Sequence, residues 1–304
     1  MIRIHFALIA ACLLTGGFAH AQGQSTPAPA APIAGKQAGS TSTPAAKPAP
    51  PPRSPRLFLA VSEGTSGGIN ASEAVEKYRG LADVLSKAAG VPVVLSLVRS
   101  FEALEAGMKK GEFDLVMARP SDYPARGVRD YGYSLVATAK PDGQCFFIVD
   151  KASPINQLAD AKGKVIMFPE KVAYMTRFCS AELRDQGFDL TKEQIAYAKE
   201  QGAVGWSVEN KLVDAGGVAS YSGVAKNWEK NGHRVIHKSG PRPYFPLIAH
   251  KRVSKDRVAK MQKALADLAT NDPGKAVLQT AGIQGYNIED SKRLLELLAW
   301  LEKR

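Results

Sequence analysis

Tyr174, Thr176 and Arg177 stand together where the apolar run KVIMF (164–168) hands over to an amphipathic stretch. A phenol, a hydroxyl and a guanidinium share one capacity: each donates hydrogen bonds to an oxygen-rich partner. A helix N-terminus adds unpaired amides and partial positive charge, so the turn Pro169–Arg177 reads as half of a seat for a small anion. Three other segments carry the same kinds of group: Ser62 to Ser66 after RLFLAV, Arg119 to Tyr123 after FDLVMA, and Ser220 to Ser222 after LVDAGGV. In open α/β sheets, ligands bind beyond the carboxyl ends of the strands, which is where all four segments fall. The candidate ligand contacts are therefore Ser62, Thr65, Arg119, Ser121, Tyr123, Tyr174, Thr176, Arg177 and Tyr221. Thr176 offers one hydroxyl bond, Tyr174 and Tyr123 phenolic ones, and Arg119 or Arg177 a fork onto two oxygens.

Other chemistry is poorly served. Gly64-Thr65-Ser66-Gly67-Gly68 matches the G-x-S-x-G nucleophile elbow, but loop residues up to Ala71 intervene before the next helix, and the strand is the first of the domain. His233 and His237 are spaced as a helical metal pair, yet the intervening Arg-Val-Ile favours a strand, where they lie about 13 Å apart as surface residues. Asp114, Asp122 and Asp214 fall at strand ends without a spacing that makes them catalytic. No enzyme, no metal and no cofactor is expected.

The elements that must position these groups alternate. RLFLAV (56–61) leads to a helix from about Ser72, with Val75, Tyr78, Leu81, Ala82 and Leu85 at helical spacing, Ser72 as cap and Gly90 as stop. VPVVLSLV (91–98), a short helix capped by Ser100 and FDLVMA (113–118) complete βαβαβ. A second α/β unit follows: CFFIVD (145–150), a helix start at Ser153-Pro154, KVIMF, a helix Val172–Gln186 and LVDAGGV (212–218). HRVIHKS and GPRPYFPLIAH (240–250) lead into closing helices from about Ser254, Asp272 and Glu289. Near-continuous apolar strands alternating with helices argue for mostly parallel sheets covered on both faces.

The N-terminus, with Arg3, an apolar run Ile4–Leu14 and Ala19-His20-Ala21, reads as a secretory signal of residues 1–21, the run being shorter than the roughly 20 residues of a spanning helix. Ile9-Ala10-Ala11-Cys12 also resembles a lipoprotein box that would place a lipid on Cys12. Residues 22–55 hold nine of the chain's 19 prolines and form a Pro/Ala/Ser-rich tether with no apolar pattern to pack. Export into an oxidising compartment makes a bridge between Cys145 and Cys179 the economical reading. The formal net charge is +11, of which Arg3, Lys36, Lys47 and Arg53 account for four, leaving +7 for the folded part. That basicity suits anions. The cations are scattered among acidic residues with no nucleic-acid module, so no nucleic acid is expected as a partner.

YRGLADVLSKAAGVPVVL, GEFDLVMARPSDYPAR, DKASPINQLADAKGKVIMFPEKVAYMTRF and QGAVGWSVENKLVDAGGVASYSGVAKNW carry a resemblance to the phosphate, phosphite and phosphonate substrate-binding proteins of bacterial ABC transporters, over about residues 56–285. The resemblance implies an α/β, two-lobed type II periplasmic-binding-protein fold that closes on an anion. The lobes would be 56–140 plus 245–304 and 141–244, joined by two chain crossings. It also implies a periplasmic monomer serving an ABC permease, with a membrane sensor as the alternative partner. Tyr123 occupies the family's turn tyrosine. Where the family usually has a Ser/Thr cluster, this chain has Ala173-Tyr174-Met175-Thr176-Arg177, with one hydroxyl and an added guanidinium. Trp206 stands near the place of a histidine often found before the Asp-Ala-Gly segment.

Overall fold

The computed structural model of the protein describes residues 55–65 and 69–303. The expected signal, Cys12, the tether to Ser54 and Ser66–Gly68 of the elbow-like stretch lie outside the described residues. Two sheets organise the rest. The first takes β1 (Leu57–Ser62), β2 (Val93–Leu97), β3 (Leu115–Ala118), β4 (Tyr133–Gly143), β10 (Arg242–His250) and β11 (Gly285–Asn287), in the order β11-β4-β10-β3-β1-β2. The second takes β5 (Cys145–Val149), β6 (Val165–Phe168), β7 (Gln194–Tyr197), β8 (Ala215–Ala219) and β9 (Arg234–Lys238), in the order β7-β6-β8-β5-β9.

Both sheets are mixed rather than mostly parallel. The expected parallel pairings are present in β1–β2, β1–β3, β6–β7 and β6–β8. The antiparallel ones come from strands next to the crossings: β4 and β10 pair with each other, and β5 pairs with β8 and β9. A strand that returns from the other lobe enters its sheet from the opposite end, so it can pair only in the reverse sense. The chain leaves the first sheet between Gly143 and Cys145 and returns between Lys238 and Arg242. The two crossings are tied where Gln144 Nε2 donates to the Ser239 carbonyl at 2.5 Å and the Cys145 amide to Ser239 Oγ at 2.9 Å.

Strand periodicity decides which helix covers which face. Leu57, Leu59 and Val61 point into a core with α1 (Ala71–Ala89), α7 (Lys255–Asp267) and α8 (Asp272–Ala281). Ala60, Val116 and Ala118 face α2 (Phe101–Lys110), α3 (Asp122–Asp130) and α9 (Lys292–Glu302). In the second sheet Phe147 and Phe168 pack under α4 (Tyr174–Asp185), while Ile148 and Val218 meet α5 (Gln201–Glu209) and α6 (Gly223–Trp228). Among the described residues Cys145 of β5 and Cys179 of α4 form the expected disulfide, with Cα atoms 5.5 Å apart.

Several local expectations change. The α1 cap is Asn70, not Ser72, because Asn70 forms a reciprocal capping box with Glu73. The stretch after Ser153-Pro154 makes only a 3-10 turn at Leu158–Ala161. His233 and His237 do lie on or beside a strand, yet neither is a free surface residue. His233 is buried, stacked on Trp228 at 4.4 Å and 3.2 Å from Asp150, and His237 Nε2 is 2.8 Å from Glu182. Asp114 and Asp214 have matching structural roles, accepting the amides of Phe58 and Val165 at the starts of β1 and β6.

Candidate functional site

The crevice is built where β1 and β3 end side by side, with Ser62 paired to Ala118 and the Arg119 amide donating to the Ser62 carbonyl at 2.9 Å. This register turns Glu63 and Arg119 toward each other. Arg119 Nε bonds Glu63 Oε2, and both side chains are almost fully buried, at 6% and 7% exposure. Lys77 Nζ reaches Glu63 Oε1 at 2.7 Å, and the Tyr78 hydroxyl donates to the same oxygen. Burial alone would push the Glu63 carboxyl up. The charges of Arg119 and Lys77, with the bonds from Lys77 and Tyr78, outweigh it and hold the group below the ordinary carboxylate value. Burial and the adjacent Glu63 charge push the Tyr78 phenol far up, so it remains a donor.

The other side of Arg119 is aromatic. Its guanidinium carbon lies 4.6 Å from the centre of the Phe245 ring, 5.3 Å from Tyr244 and 5.5 Å from Tyr221. Neighbouring strand residues ordinarily point to opposite faces. Here β10 is irregular between Arg242 and Leu247, and Phe245 has φ 48°, so Tyr244 and Phe245 both reach the same guanidinium. A left-handed non-glycine residue costs on the order of 1–3 kcal/mol, a strain typical of sites whose geometry the surroundings dictate.

From the second lobe, α4 begins behind Ala173, which offers no side-chain cap, and brings Tyr174 and Met175 to the same floor. Tyr174 is 5% exposed, stacks on Phe178 at 5.6 Å and lies within hydrogen-bonding reach of the Ser121 side chain. Burial, then Tyr221 and Asp122, push its phenol far up. Tyr221 stacks on Tyr244 at 4.0 Å, so one aromatic wall spans both lobes. Beside it, Arg177 of α4 pairs with Asp122 at the start of α3, and Arg126 reaches the same carboxylate oxygen at 3.2 Å. Burial pushes Asp122 up, and Arg177 and Arg126 pull it part of the way back. Both guanidiniums also approach the Tyr123 ring, at 4.3 Å for Arg126 and 5.7 Å for Arg177.

Of the sequence-predicted residues, Thr65, Arg119, Tyr174 and Tyr221 line one cavity with Glu63 and Gln201. Its volume is about 10 Å³, room for about one water. Ser121, Tyr123 and Arg177 form the adjoining cluster around Asp122. Ser62 is buried, its Oγ without a partner. Thr176 is turned inward: its hydroxyl lies 2.9 Å from the Glu170 carbonyl and 3.1 Å from that of Pro169, so its proton is engaged within its own turn. A larger hollow of about 450 Å³ opens beyond the floor, along Glu63, Phe101, Glu170 and Val172. Glu63, Lys77, Tyr78, Tyr244 and Phe245 were missed by sequence reasoning. Glu63 lay within a flagged segment, but Tyr78 carried only the periodicity of a core residue, and nothing signalled that its hydroxyl end would reach the site.

Two α/β lobes joined by paired crossings, with polar groups of both converging on a crevice, define the class of two-lobed periplasmic solute-binding proteins of type II fold. Solved structures agree on that fold. PhnD1 of Prochlorococcus marinus, in complex with methylphosphonate, superposes with a TM-score of 0.65 at 14% identity, over 81% of this chain and 96% of its own. The binding-protein component of an ABC phosphonate transporter of Pseudomonas aeruginosa gives 0.61 at 16%, over 81% and 85%. XAC2383 of Xanthomonas citri, bound to ATP, gives 0.66 at 14%, over 81% and 97%. Residues 68–292 match the family described as ABC transporter, phosphonate, periplasmic substrate-binding protein. The chain belongs to that family and is a solute-binding component of ABC transport.

Proposed function

We propose that the protein captures a small oxyanion, phosphate- or phosphonate-like, in the crevice between its lobes and presents it to the permease of an ABC importer in the periplasm. The observation that carries this reading is the convergence of the buried Arg119 and the first turn of α4 on one crevice floor, with Lys77 reaching the same Glu63 carboxylate from α1. The contacts are Arg119, Tyr174, Tyr221 and Thr65 at the floor, with Ser62 behind them and Ser121, Tyr123 and Arg177 at the side. Thr176 contributes by holding the turn in shape. The two lobes, divided where the chain leaves the first sheet after Gly143 and rejoins it at Arg242 rather than at the expected 140/141 and 244/245, move as bodies about the Gln144–Ser239 tie. Methylphosphonate and ATP, each bound in one of the similar structures, carry phosphorus-bound oxygens, in keeping with an oxyanion. The protein acts as an exported monomer without catalysis, its first 21 residues serving as signal. Presentation to a membrane sensor gains no support from fold or family.

A thermal-shift screen over phosphate, phosphite, methylphosphonate, alkylsulfonates and carboxylates, followed by calorimetry, tests the reading. One phosphorus oxyanion should raise the melting temperature by several degrees and be recovered unchanged. A preference for a neutral solute, or conversion of the ligand, would overturn it.

A further inference from the structure

The surroundings of Glu63 have the composition of an anion seat. A guanidinium, an ammonium and a phenol, from β3's end and from two successive residues of α1, converge on one carboxylate. Two cations, Arg119 and Lys77, thus share this single anion. A buried carboxylate with two charge-assisted partners and a phenol has the bonding that a bound phosphate or phosphonate oxygen would have. The group in the seat, however, belongs to the chain.

We propose that Glu63 is a tethered surrogate for the ligand: its carboxylate holds the oxyanion seat of Arg119, Lys77 and Tyr78, and a small oxyanion binds by displacing it. Glu63 directly follows β1 and precedes Gly64, whose φ of 58° suits a pivot. It lines the small floor cavity and also the hollow of about 450 Å³, which can receive the displaced side chain. Displacement accounts for a floor cavity too small for a tetrahedral oxyanion beside so strong an anion-binding set. It also makes the crevice selective. A ligand with one weak acceptor cannot match the surrogate, whereas one with several oxygens replaces its bonds and adds contacts to the second lobe. The proposal rests on the oxyanion reading above.

The experiment is calorimetry and thermal shift with inorganic phosphate and methylphosphonate on the full exported chain, the Glu63→Gln variant and the Glu63→Asp variant. A surrogate on a short tether competes at millimolar effective concentration, so Glu63→Gln should bind the oxyanion about 10-fold or more tightly than the parent. Glu63→Asp keeps the charge but shortens the reach, and should fall between them. Formate should stabilise Glu63→Gln and leave the parent unmoved. Equal or weaker binding by both variants, with the parent still binding, would overturn the surrogate and leave the oxyanion function standing. Binding by Glu63→Gln alone would support the seat and refute capture of that oxyanion by the parent. No binding by any form would refute both. If Glu63→Gln does not fold unaided, refolding rescued by phosphate supports the seat, and failure with phosphate present refutes it.

Discussion

Arg119 is held by opposite charge on one side and three aromatic faces on the other, which fixes what its loss should do. In Arg119→Met the Glu63 carboxylate keeps Lys77 and Tyr78 but loses its buried counter-ion. Breaking such a pair costs about 3–5 kcal/mol, so urea denaturation should show a fall of that order. The same carboxylate sets a pH limit. Glu63 is more acidic in the folded protein than in the unfolded chain, so its stabilisation is complete above the unfolded value, about 4.3, and is lost as pH falls through the lower folded value. Melting temperature should decline on acidification below about pH 4, and the Glu63→Gln variant should show a shallower decline over the same range. Thr176 illustrates how far residue type alone could be read. The sequence marked it correctly as a hydroxyl at a helix start, but its proton goes to the carbonyls of Pro169 and Glu170. Thr176→Val should therefore lower stability by about 1 kcal/mol, read in the same urea experiment, with ligand affinity changed only through the turn.

At the scale of elements, the strands and helices with plain periodicity were legible: β1, α1, β2, α2 and β3 fall where the apolar spacing put them. α3 and β4 were not. α3 reads Asp-Tyr-Pro-Ala-Arg-Gly-Val-Arg-Asp, with a proline and a glycine inside, and its helix is sustained by packing: Gly127 lets Ile248 approach so closely that a Cβ there would stand 2.7 Å from Cδ1. β4 ends in Lys-Pro-Asp-Gly and owes its length to pairing with β10 and β11, partners distant in sequence. The second lobe relies on close approach in the same way. At Gly217 of β8 a Cβ would lie 2.4 Å from the Phe168 ring and 3.1 Å from Cys179 Sγ, so the glycine makes room for the bridge of α4 to β5. Reducing Cys145–Cys179 should destabilise the protein by roughly 2–5 kcal/mol, measured as a lower urea midpoint in reductant.

On the scale of the whole molecule, the question is what holds the lobes together. α9 touches both, with Arg129 of α3 bonding Glu302 at 2.6 Å, the Trp300 indole donating to Asp185 of α4 at 2.6 Å and its ring edge-on to Phe178 at 5.2 Å. At the crevice polar contacts join the aromatic wall: the Gln201 amide to the Thr65 carbonyl at 3.4 Å, and the pair of Arg177 with Asp122. That pair is unequal, since Asp122 is 1% exposed while Arg177 keeps 35%, and burial raises the Asp122 pKa against the pull of the two arginines. Removing the guanidinium leaves a buried carboxylate with Arg126 alone. The molecule can relieve that cost by opening the crevice and hydrating Asp122, so the strain appears as a shift in the open–closed balance more than as unfolding. Arg177→Gln should enlarge the radius of gyration in small-angle scattering and weaken oxyanion binding, while the far-ultraviolet dichroism stays that of the parent. Asp122→Asn removes the buried charge and should do less, because no uncompensated carboxylate then favours opening. If Arg177→Gln scatters as the parent does and binds as tightly, the pair is a surface contact and closure is governed by the aromatic wall of Tyr221 and Tyr244.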